Sequence, residues 1–208
     1  MKHKTILLMA AVSAVLAGCS GDAAPAFAPT QSSLYITSEG VVTSATVEKY
    51  EADYYSADEL KASVEEILSV FGNGEGAAPA SVKECTMADG TAKLLIEFKS
   101  PDSYMDFMAE YPDTESEIQI SELDVTTVSD GIAKGYLVGE SFYHLAKEAK
   151  EVSADEVMKQ SKLYVAAVEG PALIQTDGTI VYISTNVELA GANQVQTPAE
   201  EMSYIVFK

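Results

Sequence analysis

One cysteine near the amino end has residue types around it that favour a specific covalent chemistry. Cys19 closes the motif Leu16-Ala17-Gly18-Cys19, which follows two lysines and an apolar run from Thr5 to Val15. A basic amino end, an apolar segment and small residues before a cleavage point are typical of a secretory signal peptide. The motif resembles a bacterial lipobox, in which cleavage leaves the cysteine first in the mature chain and its thiol is acylated. The pattern predicts a cleavable signal helix over 1–18 and lipid attachment at Cys19.

Nucleophilic catalysis would need a serine or cysteine beside a base and an orienting carboxylate. After residue 18 the chain has one histidine, His144, and one cysteine besides Cys19, which is Cys85. Ser141 precedes His144 by three residues, but its surroundings lack the second glycine of a nucleophile elbow. We expect Cys85 to be a small, partly buried strand residue and His144 to have a structural role. No catalytic residue is predicted.

Metal and phosphate sites are poorly supported by the spacing of the candidate ligands. A zinc site usually draws on several histidines and cysteines. Calcium needs only oxygen ligands, but the Asp-Gly pairs at 89–90, 130–131 and 177–178 lack the pattern of an EF-hand loop and are interpreted as turns. The glycine-rich stretch 72–76 follows a predicted helix and lacks the lysine of a P-loop. We predict no metal and no cofactor.

Tyrosine is the one aromatic residue type that is enriched, with eleven copies and no tryptophan. Tyr50, Tyr54 and Tyr111 fall around the first two predicted helices. Exposed tyrosines suit a peptide or sugar surface, because each presents a rigid apolar body with a polar tip. These three residues are the candidate binding surface.

The charge balance restricts the class of partner. The formal net charge is −19, and removal of Lys2 and Lys4 with the leader makes it −21. Such a field repels phosphate backbones and anionic headgroups, so nucleic acid is not an expected partner, whereas a cationic partner is compatible with it. The chain contains no arginine, so it cannot form the bidentate fork that recognises phosphate.

The pattern of predicted strands, turns and helices indicates an α+β fold, in which an antiparallel β-sheet built from hairpins carries two to three helices on one face. We expect a flexible tether over 19–33 and a single globular domain over 34–208. Ser56 and Glu59 form a capping box before the first helix, and Ser153 and Glu156 form another. The segment 113–143 gives mixed signals, with 136–138 as a candidate short strand. The predicted hairpins cover 34–37 with 41–50, 82–87 with 91–99, and 172–176 with 179–184; the predicted helices cover 57–71, 101 to just before 112, and about two turns from 154; a last strand covers 204–207.

Apolar spacing assigns a core face to the first two predicted helices. In the first helix the inward residues are expected to be Leu60, Val64, Ile67, Leu68 and Phe71. In the second helix they are expected to be Tyr104, Phe107 and Met108.

Several stretches carry a likeness to a known family. They are Leu34-Tyr35-Ile36 with Gly40, Glu48, Tyr54-Tyr55, Asp58-Glu59-Leu60, Gly90-Thr91-Ala92-Lys93-Leu94, Tyr104 with Phe107, the run from Gly178 to Val187, and Tyr204-Ile205-Val206-Phe207-Lys208. On these stretches the chain resembles a family of uncharacterised lipoproteins of Gram-positive anaerobic bacteria. The resemblance implies a secreted, lipid-anchored domain and supplies no activity, cofactor or catalytic residue.

The leading hypothesis is a non-enzymatic module that binds a protein, peptide or glycan at the cell envelope. A lipid on Cys19 would hold it on the extracytoplasmic face of the cell membrane. The alternatives are a small extracytoplasmic hydrolase that uses carboxylates and an accessory subunit of a membrane complex. A cleft with two acids of raised pKa would favour the hydrolase, and an exposed apolar or tyrosine patch rimmed by acids would favour the binding module.

Overall fold

The computed structural model describes residues 26–50, 56–72, 78–145 and 149–208. Cys19 and Tyr54 therefore lie outside the described residues, as do the predicted signal peptide and Tyr55. The described part of the chain forms two mostly antiparallel sheets and four short helices, which confirms the α+β class. The strands are β1 Ser33–Ile36, β2 Val42–Lys49, β3 Ala80–Ala88, β4 Thr91–Phe98, β5 Glu122–Thr127, β6 Ser141–His144, β7 Lys150–Ser153, β8 Tyr164–Glu169, β9 Leu173–Thr176, β10 Ile180–Ser184, β11 Glu188–Gly191, β12 Gln194–Gln196 and β13 Met202–Phe207. The helices are α1 Ala57–Phe71, α2 Pro101–Glu110, α3 Val128–Ala133 and α4 Ala154–Met158.

The prediction of one sheet is wrong, because strands distant in sequence pair with one another. Sheet A has the order β11-β12-β9-β1-β2-β4-β3, and sheet B has the order β5-β8-β13-β10-β6-β7. Strand β9 pairs in parallel with β1, whereas β10 pairs with β13 and β6. The predicted hairpin of 172–176 with 179–184 is therefore also wrong, since Asp177-Gly178 carries the chain from one sheet to the other. Gly178 suits this crossing because a Cβ there would collide with the carbonyl oxygen of Lys208.

The first two predicted hairpins are confirmed, and their turns explain why. Asp89 and Gly90 join β3 to β4 with φ of 51° and 71°, the left-handed pair that matches the twist of a two-residue hairpin. Gly40 lies in the turn between β1 and β2 with φ of 81°. Local chemistry therefore determines these two pairings.

Capping also determines where the two longer helices begin. The Ser56 hydroxyl accepts a hydrogen bond from the Glu59 backbone N–H at 3.4 Å, as the capping box predicts for α1. Ser100 caps α2 in the same way, accepting from the Ser103 N–H at 3.1 Å. At α4 the helix forms but Ser153 makes no capping hydrogen bond, so that predicted box is wrong.

The placement of all helices on one face is wrong as well. Helices α1 and α2 pack on the inner face of sheet A, where Phe98 of β4 contacts α2. Helices α3 and α4 cover the outer face of sheet B. Helix α3 was not predicted; the Thr127 hydroxyl begins it by accepting from the Asp130 N–H at 3.1 Å. The segment 136–138 is a turn instead of a strand, with Leu137 at φ 71° and fully buried.

Sheet B is buried on both faces, which makes it the middle layer of the domain. Ile205 and Phe207 of β13 enter the core between the two sheets, while Tyr204 and Val206 enter the core under α3 and α4. This alternation follows from the two-residue period of a strand. The result is a stack of sheet A, sheet B and a thin helical layer.

The part of the predicted tether that the structure describes, residues 26–33, contacts sheet A. The ring of Phe27 stacks on Tyr35 with centroids 5.0 Å apart, and Pro29 is buried. Leu34 and Ile36 enter the inner core, so Tyr35 between them points to the outer face of sheet A. The Ser32 hydroxyl accepts a hydrogen bond from the Val47 N–H at 3.0 Å.

Phe98 provides a direct test of the packing of α2 on sheet A. Its ring is 1% exposed and contacts Tyr104 and Phe107, both at 5.3 Å between centroids. Replacing Phe98 by alanine is expected to lower the free energy of unfolding by about 3–5 kcal/mol, because it removes a buried ring and leaves a cavity. Urea unfolding measures the change. The control Val138→Ala, at a side chain 64% exposed, should stay within about 0.5 kcal/mol, and a similar loss in both variants would contradict the assignment.

Candidate functional site

The carboxyl-terminal ends of α1 and α2 meet at the surface and expose apolar and aromatic side chains there. The rings of Phe71 and Phe107 meet edge to face with centroids 5.3 Å apart, and Phe107 lies 5.0 Å from Tyr111. We call this surface the helix-end patch. Its members are Ile67, Val70, Phe71, Phe107 and Tyr111.

The composition of α1 explains why apolar atoms remain exposed. Leu68 is the fully buried residue of this helix, although the spacing places five residues on the predicted core face. Ile67 is 37% exposed, so its predicted place in the core is only partly realised. Val70 lies one helical turn beyond Ile67 and is 56% exposed. Two neighbouring aliphatic side chains on a helix surface form a continuous apolar contact area.

The base of the patch is rigid because it continues into the core. Phe107 rests on Phe98, and Phe98 in turn contacts the fully buried Tyr104. Edge-to-face and tilted contacts of this kind add to the stabilisation from burial. The exposed rim of the patch is therefore held in place by a chain of aromatic rings that begins inside the sandwich.

Negative charge surrounds the patch. Glu66 is one turn before Val70 on α1, while Asp106 and Glu110 lie beside and one turn after Phe107 on α2. Neither helix has a basic residue in its last turn, so the partial negative charge of both carboxyl ends is not compensated there. The one lysine of the two helices, Lys61, lies 3.7 Å from Glu65 near the other end of α1.

Of the three candidate tyrosines, the structure places only Tyr111 in this patch. Desolvation raises the pKa of the Tyr111 phenol, and Glu110 raises it further by a hydrogen bond and by its charge. Tyr50 follows β2, is half-buried, and donates its backbone N–H to the Gly90 carbonyl at 3.0 Å. Tyr54 lies outside the described residues, so the three are not shown to form one surface.

Four members of the patch were not predicted as surface residues, because their spacing placed three of them in the core and left Val70 unassigned. Ile67, Phe71 and Phe107 do lie on the predicted stripes, and only the packing shows that these stripes are incompletely covered. Val70 lies off the stripe. The patch could have been predicted from this valine, because it is an apolar residue outside the core stripe and neither helix has a lysine in its last turn.

A polar cavity of about 400 Å³ lies on another part of the surface. Segment 30–32, the end of β2, Thr91 and loop 115–117 line it. Its three glutamates, Glu48, Glu115 and Glu117, are all exposed. In a catalytic pair of carboxyl groups, the general acid is usually more buried than its partner. The three glutamates of this cavity do not differ in that way.

The possible nucleophile and base lie apart. Cys85 is on β3 of sheet A, whereas His144 is on β6 of sheet B, with its ring stacked on Tyr182 at 4.5 Å and its Nδ1 3.7 Å from Glu156. Ser141 and His144 are three residues apart in one strand and therefore point to opposite faces. The geometry assembles neither dyad.

Local structure accounts for the Asp-Gly pairs, but the interpretation of Asp130-Gly131 as a turn is wrong, because both residues lie in α3. Asp89 lies in a hairpin turn, Asp130 accepts a hydrogen bond from the Thr127 hydroxyl at 2.8 Å, and Asp177 accepts from the Ser38 N–H and hydroxyl at 3.1 Å. Over the ranges that the structure describes, no three histidine, cysteine or acidic side chains come together as a metal-binding group. In the same ranges, no helix has the length and apolar character needed to cross a bilayer.

Comparison of the chain with protein-family models, with curated proteins and with solved structures found no match. The geometry and charge of this chain favour the helix-end patch over the polar cavity, because the patch combines exposed apolar atoms with a rigid base.

The Cys85 thiol offers a test of its structural role. It donates a hydrogen bond to the Ala57 carbonyl at 3.4 Å, and burial raises its pKa above the ordinary value of 9.0. Because less thiolate is then present at neutral pH, we expect alkylation by iodoacetamide to be slower in the folded protein than in urea. The rate should rise with pH to a midpoint above 9.0.

The measurement is made on a Cys19→Ser background, with Cys85→Ser as the unlabelled control. Fast alkylation of the folded protein at pH 7 would contradict a structural Cys85 and indicate an activated thiol.

Proposed function

We propose that this chain is a lipid-anchored, non-enzymatic binding module on the extracytoplasmic face of the cell membrane. The observation that carries the proposal is the helix-end patch, an apolar and aromatic surface with an acidic rim. An exposed apolar patch rimmed by polar residues usually marks an interaction site. The lipobox-like motif at Cys19 and the resemblance to lipoproteins of Gram-positive anaerobes agree with the location, and an accessory role in a membrane complex is one form of such binding.

The anchor also gives the domain an orientation. Phe27 is the eighth residue after Cys19, so a fully extended chain spans at most about 29 Å between them. Because Phe27 stacks on the outer face of sheet A, the chain runs toward Cys19 from that face. Helices α1 and α2 pack on the opposite face of the same sheet, so the patch and the anchored end of the chain lie on opposite sides of sheet A.

Site-specific photo-cross-linking on intact cells tests this function. A photoreactive amino acid at Val70 is expected to trap a discrete partner, because this side chain is 56% exposed and lies one helical turn beyond Ile67 in the patch. The same amino acid at Val138 is the matched control, since that valine is more exposed but lies in the turn after α3. We expect at least a several-fold stronger adduct from position 70, read by immunoblot and mass spectrometry.

A Cys19→Ser variant completes the experiment. It should lose membrane association and the Val70 adduct together, because the lipid brings the domain to its partner. Equal labelling from positions 70 and 138, or a purified domain that turns over an envelope polymer without any partner, would overturn the proposed function.

A further inference from the structure

We propose that the helix-end patch docks a cationic amphipathic segment of another envelope protein, one that presents apolar residues between lysines or arginines. This inference depends on the proposed function and names the chemistry of its partner.

The apolar part of the partner follows from the exposed side chains. Ile67 and Val70 provide an exposed aliphatic strip along α1, and the half-buried rings of Phe107 and Tyr111 lie at the adjoining end of α2. Side chains three and four residues apart on a helix make such strips complementary to another helix with apolar residues at the same spacing. The partner segment must therefore carry an apolar stripe of its own.

The positive charge of the partner follows from three features that act in the same direction. Acidic side chains flank the apolar strip on both helices. Two helix carboxyl ends converge there, and neither has a lysine in its last turn. Aromatic rings attract an ammonium or guanidinium group, and the half-buried ring of Tyr111 lies at the rim beside Glu110.

Two other occupants fit the same surface poorly. A second copy of this chain would bring the acids of one patch against those of the other, and like charges that face each other across an interface are destabilising. An anionic lipid surface is repelled for the same reason. A cationic segment is attracted by each of these charges, and the attraction should weaken as salt is added.

The test measures peptide binding to the full-length protein held by its lipid in bilayer discs of zwitterionic lipid, with empty discs as reference. The probe is a synthetic peptide of about 18 residues with leucine on one helical face and lysine on the other. A second peptide has glutamate in place of every lysine. We expect saturable binding of the lysine peptide, no binding of the glutamate peptide, and weaker binding at higher ionic strength.

Variants assign the binding to the patch. Val70→Ser and Tyr111→Ala should each weaken binding of the lysine peptide about fivefold or more, because each removes apolar surface from the patch without changing its charge, while Val138→Ala should leave binding unchanged. Thermal unfolding of each variant confirms that the fold is retained. Loss of binding in the Val138 variant as well would overturn the assignment.

Matched charge variants separate a docking site from general attraction to an acidic protein. The patch triple is Glu66→Gln, Asp106→Asn and Glu110→Gln. The control triple, with the same change in net charge, is Glu151→Gln, Glu188→Gln and Glu200→Gln, all exposed and on other elements or loops. We expect about a tenfold loss in the patch triple and about twofold or less in the control.

Equal losses in the two triples, or equal binding of both peptides, would overturn the cationic partner. In that case a Val70 adduct on cells would still support the proposed function with a partner of different chemistry. Absence of that adduct together with equal losses would overturn both.

Discussion

The pairing of the closing strand β13 between β8 and β10 is the constraint on which the rest of the domain depends. Every side chain from Ser203 to Phe207 is buried, and alternate residues supply the two separate cores. A strand buried on both faces needs a layer on each side. Sheet A provides one layer, and α3 and α4 provide the other, so the three-layer stack follows from this one strand.

The helix-end patch results from the way in which α1 and α2 cover part of sheet A. Helices α1 and α2 cover the inner face of sheet A at β3 and β4. They lie beside β5, which is an edge strand of sheet B. The aromatic chain from Tyr104 through Phe98 to Phe107 anchors the helices there. Their carboxyl ends project past this anchor, and the apolar residues on those ends are only partly covered. The same packing that completes the core thus leaves a rigid apolar surface within an acidic rim.

Local signals predicted much of this fold, and long-range pairing accounts for what they missed. The Asp89-Gly90 turn and the Ser56 cap are decided by neighbouring residues, and both were predicted correctly. The Asp177-Gly178 turn has the same appearance in the sequence, yet it joins two sheets, because β9 finds its partner in β1 more than a hundred residues earlier. The patch was missed for a related reason: periodicity shows which face of α1 is apolar, but only tertiary packing decides how much of that face is covered.

Backbone hydrogen exchange tests most directly whether the patch is a covered surface in the cell envelope. It compares the protein in isolated membranes with the same protein purified into bilayer discs, from which the proposed envelope partner is absent. We expect slower exchange in the membranes at the last turns of α1 and α2, around Phe71 and Tyr111, with no change around Val138. Identical exchange at those two turns in both preparations would contradict the claim that a partner occupies the helix-end patch.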